Sequence, residues 1–277
     1  MNDFIALGWE GLLRRNGLGR FEDVWNVDRP LYEPANRRRG GWSNVIRMEL
    51  QTDSVETIAI FIKRQENHTR RTWLHPIKGQ STYESELRNI ARLAEFGVPS
   101  VTPIYFATRR VDGNLRAVMI TEALNGFRSL DDWIRQWERE GWPSRQSRRH
   151  LFLALAGVLR NLHAHCVQHG SLYPKHIFVR HANGPATEGA EPAVRLIDLE
   201  STRRRMTRRR AILRDFDTLN RHSPQWSRSD RLRFFLRYLE IERLTPRARR
   251  LLRRVAALAD AKRRKAGASN LGSATHK

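Results

Sequence analysis

One cysteine, Cys166, stands among 277 residues, and lysine and methionine are almost as scarce, with six and four. A single cysteine cannot close an intrachain disulfide, so the fold rests on burial and hydrogen bonding, as expected in a reducing compartment. No apolar run approaches the roughly 18 residues of a membrane-spanning helix. The N-terminal MNDFIALGWEGLLRRNG lacks the basic start, apolar stretch and small-residue cleavage site of a secretory signal. A cytoplasmic protein is expected. The chain also lacks internal repeats.

Acidic residues are few beside basic ones: 29 Asp and Glu face 51 Lys and Arg, a formal charge of +22, and 45 of the basic residues are arginines. A planar guanidinium fork suits phosphate, so nucleic acid, anionic lipid headgroups and phosphorylated saccharides are all chemically reasonable partners. An arginine-rich solvated surface without a specific partner accounts for the charge equally well. Hydrophobic residues make up 40% of the chain, enough for one large domain or two lobes.

The first part reads as β-rich with one inserted helix. Alternation over Ser43 to Leu50 and the apolar run Ile58 to Ile62, ending at Lys63, predict strands. Thr82 to Phe96 carries Leu87, Ile90, Ala91 and Leu93 on one helical face, with Gly97 and Pro99 as the stop. Val101 to Ala107 and Arg116 to Glu122 flank the turn residues Asp112, Gly113 and Asn114, a hairpin pattern. After Glu122 the chain turns helical, with Ser129 as N-cap for LDDWIRQWERE and a second helix over Ser147 to Cys166. HANGPATEGAEPA, between His181 and Ala193, predicts a surface loop between short strands. Met206 to Lys265 shows further arginine-studded helical pattern, and 266–277 is small and polar enough for a disordered tail. The expected domains are therefore an N-terminal part over 1–122, a helical part over 123–265, and the tail.

Two stretches carry the chemistry. His169 to Val179 reads HGSLYPKHIFV, and Arg195 to Ser201 reads RLIDLES. Together they resemble the catalytic and metal loops of kinase-type phosphotransferases, with Ser171 where those loops place an Asp and His176 where they place a metal-supporting residue. Lys63, at the end of an apolar strand, is placed to reach a phosphate, and a carboxylate from the next helix would hold it there. Glu86 is preferred to Glu84 because it shares the inner face with Ile90 and Leu93. Gly40, Gly41 and Ser43 precede a strand, where glycine lets backbone amides approach a phosphate, though an ordinary turn explains the pair as well. Asp198 follows a short apolar strand and supplies the oxygen donor a hard cation such as Mg²⁺ requires. Glu200 serves equally as a further ligand or as a turn cap.

On these motifs, with RGGWS, LAEFGVPS, ITEALNGFRSLDDWI and RDFDTL in the same order, the chain resembles the lipopolysaccharide kinase family of the Kdo/WaaP type, which includes InaA-like proteins. The resemblance covers most of the chain. It implies an α+β, bilobal protein-kinase-like fold, with a small β-rich N-lobe and a mainly helical C-lobe. It also implies ATP and Mg²⁺ as cofactors and phosphorylation of a lipopolysaccharide core sugar hydroxyl, with peripheral association at the anionic inner-membrane surface. By position, Lys63 and Glu86 would anchor the nucleotide beside Gly40, Gly41 and Ser43, and Glu122 would lie in the hinge near the adenine. His176 and Asp198 would flank the metal, while His169 and Asp215 would support the catalytic loop.

Ser171 departs from that pattern, since a hydroxyl is no useful base near neutral pH. A catalytically impaired nucleotide-binding pseudokinase with a regulatory or scaffold role is thus the second expectation. A basic nucleic-acid-binding protein, suggested by charge and by Arg247 to Lys265, ranks below both. His163, His165, Cys166 and His169 have zinc-ligand chemistry but not convincing spacing, and read as a helix end, with Cys166 a small buried residue. Trp133 and Trp137 read as packing groups.

Overall fold

The computed structural model describes residues 3–38, 40–72, 75–180 and 192–274. They fall into two compact units, Met1–Ala94 with Ser100–Asn125, and Glu95–Pro99 with Gly126–Lys277.

The first unit runs β1 (Phe4–Ile5), α1 (Glu10–Arg15), α2 (Phe21–Trp25), β2 (Leu31–Arg38), β3 (Gly41–Gln51), β4 (Thr57–Glu66), β5 (Thr69–Thr72), β6 (His75–Ser81), α3 (Thr82–Glu95), β7 (Pro103–Val111) and β8 (Asn114–Glu122). Six strands form one antiparallel sheet in the order β1-β7-β8-β4-β3-β2. Strand alternation decides its two faces. Ile60 and Ile62 point into a buried cluster with Ile46, Leu50, Val118 and Ile120, closed by Leu13, Leu18, Phe21 and Val24 from the N-terminal helical segment. Residues of opposite parity, Lys63 and Gln65, turn to the other face, where Gln65 Oε1 accepts from Thr82 Oγ1 of α3 at 2.8 Å. Lys63 thus lies inside β4, which continues to Glu66, rather than at the strand end. Its partners are Val45 and Met119, so the strand is central and its backbone is held from both sides. The β7–β8 turn places Asp112 and Gly113 at φ +50° and +79°, the two left-handed residues a tight hairpin requires.

The second unit contains β9 (Arg128–Ser129), α4 (Leu130–Glu140), α5 (Arg145–Ala164), β10 (Val167–Gln168), β11 (Ile177–Arg180), β12 (Ala193–Leu196), β13 (Arg203–Arg204), α6 (Arg208–Arg221), α7 (Arg228–Leu239) and α8 (Pro246–Ala274). Ser129 caps α4 by accepting the Asp132 N–H, and Ser144 caps α5 in the same manner. Leu151, Leu155, Leu159 and Leu162 of α5 are fully buried. Trp133 and Trp137 stack at 6.3 Å, with Trp133 Nε1 donating to Val179 O, so these rings serve packing. α8 continues through Ala274, so 266–274, expected as a tail, is helical, and 275–277 lie outside the described residues. The expected loop over 181–191 lies outside the described residues.

Four features of the N-terminal part were not predicted: β1, β2, the β5–β6 hairpin, and the helical segment α1–α2, whose elements are only six and five residues long. Elements that short carry too few turns for a hydrophobic period to register.

Candidate active site

In the first unit, Lys63 Nζ meets Glu86 Oε1 at 2.7 Å. The Glu86 side chain is 2% exposed and that of Lys63 19%, so the ion pair is largely shielded from water. Glu84 instead takes part in a pair with Arg88, so the carboxylate beside Lys63 is that of Glu86. Gly40, at φ +75°, forms the β2–β3 turn, with Arg38 and Gly41 paired beyond it. Gly41 belongs to β3, and a Cβ there would lie 2.3 Å from Glu66 O and 2.5 Å from Asn67 C. Close packing against that backbone requires the glycine whether or not a phosphate is bound. Ser43 pairs with Gln65 within the sheet, and Glu122 ends β8 with its N–H donated to Thr102 O.

In the second unit, pairing of Ile177 with Leu196 sets His176 beside Ile197, whose N–H donates to His176 O at 3.1 Å. Asp198 follows in the left-handed region, φ +59° and ψ +58°, a conformation uncommon outside glycine that recurs at functional sites. Its Oδ2 lies 3.2 Å from His176 Nδ1, and the carboxylate is 35% exposed. The same Nδ1 lies 2.8 Å from Ser171 O. A carbonyl only accepts, so Nδ1 carries the proton and cannot also be a metal ligand. His176 therefore contacts Ser171 O and Asp198 through Nδ1, which leaves Nε2 as its one nitrogen able to ligate a metal, and Asp198 supplies the carboxylate that fits Mg²⁺. Among the described residues no group of three or more His, Cys, Asp or Glu is placed to hold a metal ion.

The loop is braced from beneath. Asp215, fully buried on α6, accepts the His169 N–H at 2.7 Å and the Gly170 N–H at 3.0 Å, while His163 Nε2 approaches it at 3.1 Å. His163 Nδ1 contacts the Tyr238 hydroxyl at 2.9 Å. Burial pushes that phenol up to about 12, with Asp215 adding to the rise. His169 lies 3.0 Å from Ile197 O through Nε2 and accepts the Ser171 N–H through Nδ1. One donor and one acceptor describe a neutral imidazole, and burial accordingly holds its pKa below the ordinary value of 6.5.

Sequence reasoning passed over Gly170 and Thr202, and took His163 as part of a helix end. A Cβ at Gly170, φ +86°, would fall 2.5 Å from Ser201 O, and Thr202 Oγ1 donates to His169 O at 3.2 Å. Together they tie the loop to the segment after Asp198. Glycine inside the quoted loop was the available signal. His163 is a buried partner of Asp215 and His165 stacks on Phe96 at 4.0 Å, which accounts for the histidines considered for zinc. Cys166 is half-buried at φ +55°, where its O accepts the Arg205 N–H, so it is a turn residue and not the buried apolar residue expected.

Structural comparison first defines the class. A solved structure described as WaaP in complex with acyl carrier protein matches with a TM-score of 0.65 at 24% identity, covering 96% of this chain and 98% of that one. The fold is protein-kinase-like, of mixed α and β type with a sheet-rich N-terminal part.

The chain itself belongs to the lipopolysaccharide kinase (Kdo/WaaP) family, whose model matches residues 22–238. It is also similar to Protein InaA of Escherichia coli (strain K12), 29% identical over 210 residues that span 76% of this chain and 91% of the relative. Membership places it among kinases of the lipopolysaccharide core type.

Proposed function

We propose that this protein transfers the γ-phosphoryl group of ATP to a hydroxyl of a lipopolysaccharide core sugar, at a reduced rate set by Ser171. The observation that carries the reading is the shielded Lys63–Glu86 pair on a central strand. Burying two charges is costly, and here a buried carboxylate holds the ammonium of a lysine whose side chain is not fully enclosed. That arrangement suits a group that must meet a phosphate.

When bound, ATP with Mg²⁺ supplies the transferable phosphoryl group and neutralises its charge. Lys63 would bind phosphate oxygens, oriented by Glu86. Asp198 would hold the cation, steadied by His176, and Asp215 would fix the backbone of the loop through His169 and Gly170. Gly40, Gly41 and Ser43 would lie along the phosphates, and Glu122 near the adenine.

No carboxylate occupies position 171 to accept the acceptor proton. General-base help is worth roughly 10²- to 10⁴-fold, whereas positioning and charge neutralisation carry most of phosphoryl transfer. Slow transfer is therefore the expected behaviour. The same residue favours a second reading, a pseudokinase that binds nucleotide and regulates or scaffolds without transfer. A cytoplasmic protein that works peripherally at the inner membrane fits either reading, and among the described residues no helix is long and apolar enough to cross a membrane.

Labelled γ-phosphate from ATP, offered with fractionated cell-envelope glycolipid, tests the proposal. Label should enter the glycolipid with the parent protein and not with Asp198→Asn. Nucleotide binding without any transfer at extended times supports the pseudokinase reading, and absence of both rejects the two together.

A further inference from the structure

Arg203–Arg210 reads RRRMTRRR, and no carboxylate stands between Glu200 and Asp215, which is itself fully buried. Arg203 and Arg204 form β13, Arg208, Arg209 and Arg210 form the first turn of α6, and all five are exposed. Between them Met206 is 85% exposed, one of two large apolar side chains, with Leu153, that the described residues of the second unit expose.

Stability of the fold does not account for this segment. Like charges repel, three arginines in a helix's first turn oppose its dipole, and an exposed methionine gains nothing from burial. Yet the backbone is well fixed. β13 pairs with β10, Arg205 donates from its N–H to Cys166 O at 2.7 Å and from its side chain to Gln168, and Thr207 caps α6. The result is a rigid basic platform with a protruding apolar point. Guanidinium groups around an exposed thioether suit a surface that offers phosphates and, just beneath them, hydrocarbon. A soluble polyanion uses the charge but gains nothing from Met206.

We propose that Arg203–Arg210, with Met206 at its centre, is a docking surface for an anionic lipid bilayer. Thr202, immediately before it, is bonded to His169 O, so docking holds the loop His169–Ser171 next to the lipid surface. That consequence rests on the proposed kinase function, since a lipid-borne acceptor would then reach the loop; the docking itself does not. α8 also exposes Arg249, Arg250, Arg253 and Arg254, but without an exposed large apolar residue among them, which makes it the natural control.

The test is co-sedimentation of the full chain with phosphatidylglycerol-containing vesicles and with phosphatidylcholine vesicles. Binding should require phosphatidylglycerol and fall steeply with salt. Each neutralised arginine should lower partitioning about fivefold. Arg204→Gln with Arg209→Gln is the informative pair, because Arg205, Arg208 and Arg210 contact Gln168, Tyr238 and Met206. Met206→Ser should weaken binding without changing its salt dependence, and Arg250→Gln with Arg254→Gln should leave it near the parental value. Thermal melts identify any variant that fails to fold, and each charge variant has the other and Met206→Ser beside it. Parental binding in the Arg204/Arg209 and Met206 variants, loss confined to the α8 variant, or equal binding to both vesicle types would overturn the proposal. Vesicle binding by Asp198→Asn should match the parent, so failure of the catalytic reading and failure of docking give different results.

Discussion

Asp215 accepts the backbone N–H groups of His169 and Gly170 from a side chain fully removed from solvent. One carboxylate on α6 thereby fixes a loop 45 residues earlier in the chain. Asparagine retains one oxygen acceptor and turns an amide donor toward N–H groups that need an acceptor. Asp215→Asn should lower the unfolding free energy by about 2–3 kcal/mol, read from the midpoint of urea denaturation at unchanged slope. A midpoint equal to the parent's would show that the loop is held by other contacts.

The Lys63–Glu86 pair separates stability from binding. Lys63→Met leaves Glu86 buried without its counterion and should destabilise by about 3 kcal/mol. Adding Glu86→Leu removes the stranded charge, so the double variant should recover much of that loss in thermal melts. Nucleotide binding should stay weakened at least about tenfold in both. Recovery of binding in the double variant would show that Lys63 acts only through packing.

Ser171 sets the expected rate. Ser171→Asp should raise phosphotransfer by roughly 10²- to 10⁴-fold, with nucleotide affinity little changed because the loop backbone is held by Asp215. Lower turnover in this variant than in the parent would mean that the serine takes a direct part.

His169 predicts a pH response. Its imidazole is held neutral, with a folded pKa below the ordinary 6.5 because of burial. Between those two values the unfolded chain binds the proton and the folded chain does not, so stability falls as pH drops below about 6.5 and is unaffected by this group above it. Melting temperature followed from pH 7.5 to 5 should fall in that direction, and His169→Asn should flatten the curve. An equal slope in the variant would place the titration elsewhere.

Much of this arrangement was legible in the sequence. Helical spacing chose Glu86 over Glu84, the apolar run Ile58 to Ile62 pointed to Lys63, and the two loop motifs pointed to His176 and Asp198. The supports were harder to see, because they depend on distant contacts. Gly170 is required by the backbone of Ser201 and His163 by Asp215, and neither requirement leaves a local periodicity. For His176, only the contact of Nδ1 with Ser171 O shows which nitrogen is engaged. Short α1 and α2 carry too few turns for a pattern, although their apolar residues close the core of the sheet.

Calorimetric titration of Mg²⁺ and ATP into the parent, Lys63→Met and Asp198→Asn tests the central claim most directly. Saturable binding by the parent, weakened at least about tenfold in each variant while both still melt cooperatively, is the predicted result. Parental affinity in both folded variants would contradict it.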